Sequence, residues 1–311
     1  MAPAARATDA RRLDAVAVDA ALRRLRHQAE APWLHGEVAR RLGERLTPLR
    51  IQPIRVLDWW AAVGGGRAAL RQRFPEAEIV AVENGGGWPP RVADAKRFAW
   101  PFGRKRDGAR PSLLVQASDG DLGVAQLVWA NMMLHFVVDP PALFARWHGL
   151  LGAEGVVAFS CPGPSTLREL RSLYAAAGWP APTPGYVDMH DLGDMMVGAG
   201  FAEPVLDQET ITLRWGDAES LLRELAQLGG NTAPDRYLGL RTPRWRRRLL
   251  AALAESADSH GRIGLGFEIA YGHGFKVAAR QRSSEPTTVS LEAMRDLARR
   301  PNRDTPGAKP R

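Results

Sequence analysis

The sequence predicts an α/β protein built on a doubly wound parallel sheet with helices on both faces. Three observations carry this. A strand-like run, Arg55-Val56-Leu57-Asp58, leads through Trp59-Trp60-Ala61-Ala62-Val63 into Gly64-Gly65-Gly66. About 20 residues on, a second apolar run, Glu78-Ile79-Val80-Ala81-Val82, ends in Glu83, the spacing of a nucleotide-binding β-α-β unit. Strand and helix patterns then keep alternating, which favours parallel strands joined by crossover helices.

The elements follow in order. Residues 1–30, rich in Ala and Arg, read as a helical lead-in to a domain over 31–280. Val38, Leu42 and Leu46 share one face of a helix over 36–47, and Pro48 and Pro53 bracket its exit into strand 54–58. A short helix at 66–73 follows the glycine turn. After strand 78–83, Asn84 to Pro90 is a breaker, 91–99 has helical character, and 100–111 is a basic Pro/Gly loop. Strands are predicted at 113–116, 125–130 and 156–160. Pro140 and Pro141 open a helix that carries Leu143, Phe144, Trp147, Leu150 and Leu151 inward. Helices follow at 166–177 and after Asp188, then a strand within 204–215. Helices at 218–228 and 244–257 make a helical insertion of about 217–262 before a last alternating strand at 263–279. Residues 281–311 read as a disordered basic tail.

Composition narrows the function classes. With 45% hydrophobic and 24% charged residues the chain is of ordinary globular make-up, and no apolar run approaches the ~18 residues of a membrane span. The single cysteine, Cys161, excludes an internal disulfide and a cysteine-based zinc cluster, and fits a cytoplasmic setting. The net charge of +8 fits an acidic macromolecular partner, nucleic acid or acyl carrier protein, as well as plain arginine-rich usage. No nucleic-acid-binding signature accompanies it.

Ligands of such sheets sit at the carboxyl ends of the strands. Those ends carry Asp58, Glu83, the polar turn around Asp119, Asn131, and Ser160 to Gly163. Glu83 is placed to accept from ribose hydroxyls, and Asp58 to orient the loop amides around Gly64 and Gly65. Asp188, His190, Asp191 and Asp194 look like a metal set, but capping and polar-face roles suit them better, so no metal is expected. Cys161 reads as a buried small residue.

Four blocks, in order, resemble the malonyl-acyl-carrier-protein O-methyltransferases of biotin synthesis. They are Phe159 to Leu170; Val187 to Asp194 followed by Ala199-Gly200-Phe201; Leu221 to Leu225 with Gly229-Gly230-Asn231; and Phe267 to His273. The likeness covers about residues 9–280. It implies a class I methyltransferase fold, S-adenosylmethionine as methyl donor, Asp119 as the adenine-side acid, and malonyl-acyl carrier protein as substrate. An ionised carboxylate needs no general base, so the chemistry asks for a hydrogen-bonding or cationic clamp. Arg168, Arg171, Tyr271 and His273 are the candidates. The helix with Arg244, Arg246, Arg247 and Arg248 is a candidate dock for the acidic carrier.

Three departures stand out. The family's donor loop reads Asp-x-Gly-x-Gly-x-Gly, and here Trp60 and Ala62 replace the first two glycines while Gly64 remains. The tyrosine that follows Arg-Arg-Phe-Asp in the family is missing after Arg11-Arg12-Leu13-Asp14. The segment before the fourth strand is contracted. The alternative reading is therefore a degenerate homologue that binds a carrier protein without catalysis; another acceptor substrate is a third.

Overall fold

A computed structural model describes residues 13–28, 30–83, 114–115 and 122–277. The expected turn at Asp119, the helical character of 91–99 and the tail 281–311 lie outside them. Among the described residues, seven strands form one sheet: β1 (Arg55–Trp59), β2 (Glu78–Val82), β3 (Leu114–Val115), β4 (Ala125–Ala130), β5 (Leu151–Pro162), β6 (Ala202–Trp215) and β7 (Ile263–Phe275). Their spatial order is β3-β2-β1-β4-β5-β7-β6. The pairs β3/β2, β2/β1, β1/β4 and β4/β5 are parallel, whereas β7 runs antiparallel to both β5 and β6.

The strand patterns explain the two-sided burial. Along β1, β4 and β5 successive side chains enter opposite cores: Val56, Leu127, Trp129, Val156 and Ala158 on one face, Leu57, Val128, Ala130, Val157 and Phe159 on the other. Helices α1 (Ala15–His27), α5 (Pro140–Leu150) and α7 (Met189–Gly198) cover the second face. The first is covered by α2 (Trp33–Arg45), α4 (Arg67–Arg73), α6 (Arg168–Ala176), α8 (Ala218–Gln227) and α9 (Pro243–Glu255). The one-turn helix α3 (Ala61–Gly64) follows β1. Strand β6 alternates between partly covered and exposed residues, as an edge strand does.

Caps fall where the side chains call for them. Asp188 accepts from the His190 amide at 2.8 Å and Asp217 from the Ser220 amide at 2.7 Å. His190 Nδ1 also lies 2.6 Å from Asp188. The lead-in helix α1 is tied to the chain's far side: Asp14 pairs with Arg236 at 2.6 Å, and Arg24 donates to the Gly229 carbonyl. One boundary differs from expectation. Leu151 opens β5 instead of closing α5, because the 151–155 backbone finds a partner far along the chain. The Glu154 amide donates to the Lys276 carbonyl and the Lys276 amide to the Gly155 carbonyl, both at 2.8 Å. A hydrophobic period that runs on through Leu150 cannot reveal that pairing.

Candidate functional site

The carboxyl ends of β1, β2, β4 and β5 converge on one edge, and strained backbone gathers there. Trp60, Met132 and Leu167 all have positive φ (53°, 49° and 55°), and they follow β1, β4 and β5 respectively. Trp60 stands in the left-handed conformation that a donor-loop glycine would adopt freely. Its amide donates to the Val82 carbonyl at 2.6 Å, and its carbonyl accepts from the Val63 and Gly64 amides at 2.9 Å. The indole is 9% exposed and belongs to the apolar cluster that holds Leu22, Leu25, Val63 and Val82.

The glycines that remain are needed for contact. A Cβ at Gly64 would lie 2.7 Å from the Asn131 carbonyl oxygen. Gly65 has φ +65°, and a Cβ there would meet Ala31 at 2.6 Å. Asn131 binds the turn together: its Nδ2 donates to the carbonyls of His35 (2.8 Å) and Gly64 (2.6 Å), and its Oδ1 accepts from Ser160 Oγ at 2.7 Å. Its amide therefore holds the loop.

Two acids face this loop. Glu83 accepts from the Ala62 amide through Oε1 at 2.8 Å, while Oε2 is buried without a hydrogen-bond partner. Asp58 is 1% exposed, and neither of its oxygens has a hydrogen bond. Burial, then repulsion from Glu83, raises the Asp58 pKa to about 7, with Arg67 opposing. Burial also raises Glu83, against the Ala62 hydrogen bond and the charges of Arg26 and Arg67. The arrangement fits a cationic ligand with hydroxyl groups. It has buried acceptor oxygens to offer and negative charge to be compensated.

Asp58 gives a first prediction. Its carboxyl titrates near 4 in an unfolded chain and near 7 in the ligand-free fold. Between those values the folded state keeps a proton that the unfolded state has lost, so stability falls as pH rises through 7. Asp58→Asn is expected to stabilise the ligand-free protein at pH 8 by up to about 4 kcal/mol, less the cost of an unpartnered amide, and hardly at pH 4. Thermal melts at the two pH values decide it; a gap of the same size at both would count against it.

Beside the loop lies a cavity of about 250 Å³. It is walled by Leu34, His35, Met132 and Pro162, by Leu167, Leu170 and Tyr174 of the 166–176 segment, by Thr183 and Tyr186, and by Leu222 and Leu225 of α8. His35 is fully buried, and burial lowers its pKa to about 4, so the ring is neutral. Its Nδ1 therefore carries the proton that bonds the Val63 carbonyl at 2.8 Å. His35 and the 131–132 turn thus belong to both the loop and the cavity.

The residues chosen from the sequence are not all brought together. Asp58, Gly64, Gly65, Glu83 and Asn131 converge, and Asp119 lies outside the described residues. Arg171, partly exposed, donates to the Pro164 carbonyl, and its charge reaches Tyr186 at the cavity. Arg168 is exposed on α6. Tyr271 stacks beneath Arg45 of α2, 3.6 Å from its guanidinium carbon, and burial and Glu209 raise its pKa. His273 shares that face of β7, opposite Ala158 and Val205, and is lowered by burial. Neither residue lines the cavity. Arg26, 5% exposed and near enough for its charge to act on Glu83, was missed. It had left a signal, since it sits at i+4 from Leu22 on the buried stripe of α1. His135 lies in a one-turn 3-10 helix (Leu134–Phe136) and Thr183 and Tyr186 in an irregular segment, and they left none.

A parallel sheet with one antiparallel strand inserted before its edge, closing on a glycine turn and a strand-end acid, defines the class I methyltransferases. Relatives narrow the class. The malonyl-acyl-carrier-protein O-methyltransferase of Laribacter hongkongensis is 34% identical over 258 residues, 81% of this chain and 86% of its own. That of Gallionella capsiferriformans is 34% identical over 252 residues, 79% and 85% of the two chains. The chain belongs to the malonyl-acyl-carrier-protein O-methyltransferase family. No protein-family model matches it. Among solved structures, the YcgJ protein of Bacillus subtilis aligns at 14% identity with a TM-score of 0.47, covering 76% of this chain and 98% of that one. Among the described residues, no helix is long and apolar enough to cross a membrane.

Proposed function

We propose that the protein methylates the free carboxylate of a malonyl thioester carried on acyl carrier protein, with S-adenosylmethionine as donor, in cytoplasmic biotin synthesis. The observation that carries this is the shared wall. An acid-lined loop suited to a cationic, hydroxyl-bearing ligand adjoins the cavity through His35 and through Met132, whose neighbour Asn131 holds the loop. S-adenosylmethionine supplies a methyl group on a cationic sulfur. Glu83 would accept from its ribose, and Asp58 would face its positive charge, which holds the Asp58 carboxyl ionised. The chain's remaining work is positional. The cavity excludes water from the acceptor carboxylate and holds one of its oxygens toward the loop.

The carrier would dock on the outer face of α9. Arg244, Arg247 and Arg248 are exposed at i, i+3 and i+4. Arg246 points elsewhere and pairs with Glu219 at 3.0 Å, so it braces α9 against α8. Trp245 and Trp179 pack with Tyr174, which also lines the cavity, and this contact between α9 and a cavity wall supports the dock. Arg241 stacks on Tyr237 and Trp245 (3.9 and 4.2 Å), with Leu238 and Leu240 exposed alongside.

Calorimetric titration with S-adenosylhomocysteine tests the donor site, and methyl transfer to malonyl-acyl carrier protein tests the acceptor. No heat from a folded protein at millimolar ligand would sink the reading. Joint replacement of Arg244, Arg247 and Arg248 by Glu is expected to raise KM for the carrier-borne substrate about tenfold and leave malonyl-pantetheine turnover unchanged. Equal losses on both substrates would remove the dock.

A further inference from the structure

The cavity holds more polar chemistry than an acyl pocket needs. Thr183 is 7% exposed, and its Oγ1 is buried with no hydrogen-bond partner. His135 lines the same space with its Nδ1 buried and unpartnered. Tyr186 completes the group, its ring centroid 6.3 Å from that of His135. Leaving such a buried group unpaired costs about 1–3 kcal/mol, which a ligand with acceptor oxygens would recover. We propose that His135, Thr183 and Tyr186 form the seat for the acceptor's free carboxylate, each donating a hydrogen bond to it. The seat rests on the functional reading above.

The charge state of the three groups agrees. Burial, with some help from His35, lowers the His135 pKa to about 3, and burial pushes Tyr186 up to about 12 against the pull of Arg171. All three are neutral donors through the physiological range. Arg171, the cation acting on Tyr186, has a guanidinium N–H on the Pro164 carbonyl. Neutral donors suit this reaction better than a cationic clamp. The oxygen that takes the methyl group loses its negative charge, so a cation fixed on it would stabilise the reactant more than the transition state. Three hydrogen bonds orient that oxygen with less of this penalty. The seat also adjoins strained backbone, since Met132 and Leu167 line the same cavity with positive φ.

The test measures binding of malonyl-pantetheine and of its methyl ester to the full chain by calorimetry. Each variant is also titrated with S-adenosylhomocysteine. The natural chain is expected to prefer the acid to the ester by about tenfold or more. Thr183→Val and His135→Phe are each expected to remove most of that preference. Thr183→Ser and His135→Gln, which keep a donor, are expected to retain it, and donor-analogue affinity should stay constant throughout. Equal affinity of the natural chain for acid and ester would overturn the seat, and so would an acid preference that survives both substitutions together. A chain that prefers the acid but binds no S-adenosylhomocysteine upholds the seat and sinks the donor reading.

Discussion

Glu83→Ala is expected to weaken S-adenosylhomocysteine binding about a hundredfold and, in the ligand-free protein, to raise the melting temperature above pH 7. The first effect would follow from the two charge-assisted hydrogen bonds to ribose that the proposed role gives Glu83, together worth about 3 kcal/mol. The second follows from the sign of the Glu83 shift. Its pKa is raised in the fold, chiefly by burial, so its contribution to stability is present at low pH and lost as pH climbs through the folded value. Removing it also removes the repulsion that, after burial, raises the Asp58 pKa. Against this stands the loss of the 2.8 Å hydrogen bond from the Ala62 amide, worth about 1 kcal/mol. A gain in stability on deleting this buried acid, paired with weaker donor binding, would mark a site where stability is given up for binding. Unchanged donor affinity, measured by calorimetry, would show that Glu83 only braces the Ala62 amide.

Local periodicity carried most of the fold. The alternation of Val56 with Leu57, and of Leu127 with Val128, is a property of neighbouring residues, and so are the Asp188 and Asp217 caps. The loop acids were legible for the same reason, since a strand end followed by a glycine turn fixes where Asp58 and Glu83 must stand. The cavity was not. His135 and Tyr186 lie 51 residues apart, in a short 3-10 helix and an irregular segment whose conformations depend on what packs over them. Tyr271 and His273 do not line that cavity, because a strand's alternation leaves open which face looks toward it. The antiparallel register of β7 sets Tyr271 against α2, under Arg45, where it braces helix to sheet. The sequence grouped Arg244, Arg246, Arg247 and Arg248 of α9 together, and only the fold revealed that Arg246 pairs with Glu219.

Trp60→Gly is expected to destabilise the protein by about 2–3 kcal/mol while changing donor affinity no more than a few-fold. The indole is buried in the cluster with Leu22, Leu25, Val63 and Val82, and deleting a buried tryptophan costs about 3–5 kcal/mol. Glycine returns about 1–2 kcal/mol at this position, because φ of +53° is strained for any residue with a Cβ. The remainder should lower the melting temperature by roughly 5–10 °C for a domain of this size. Donor affinity should hold, because the backbone bonds of position 60 run from its amide to Val82 and from its carbonyl to Val63 and Gly64, and glycine makes them equally well. On this account the sequence change that looks most damaging is a core substitution. The tryptophan keeps a glycine's backbone conformation, and its ring belongs to the apolar cluster. The opposite result, S-adenosylhomocysteine binding that appears only in the Trp60→Gly protein, would make the natural chain a homologue whose donor site is closed by that ring.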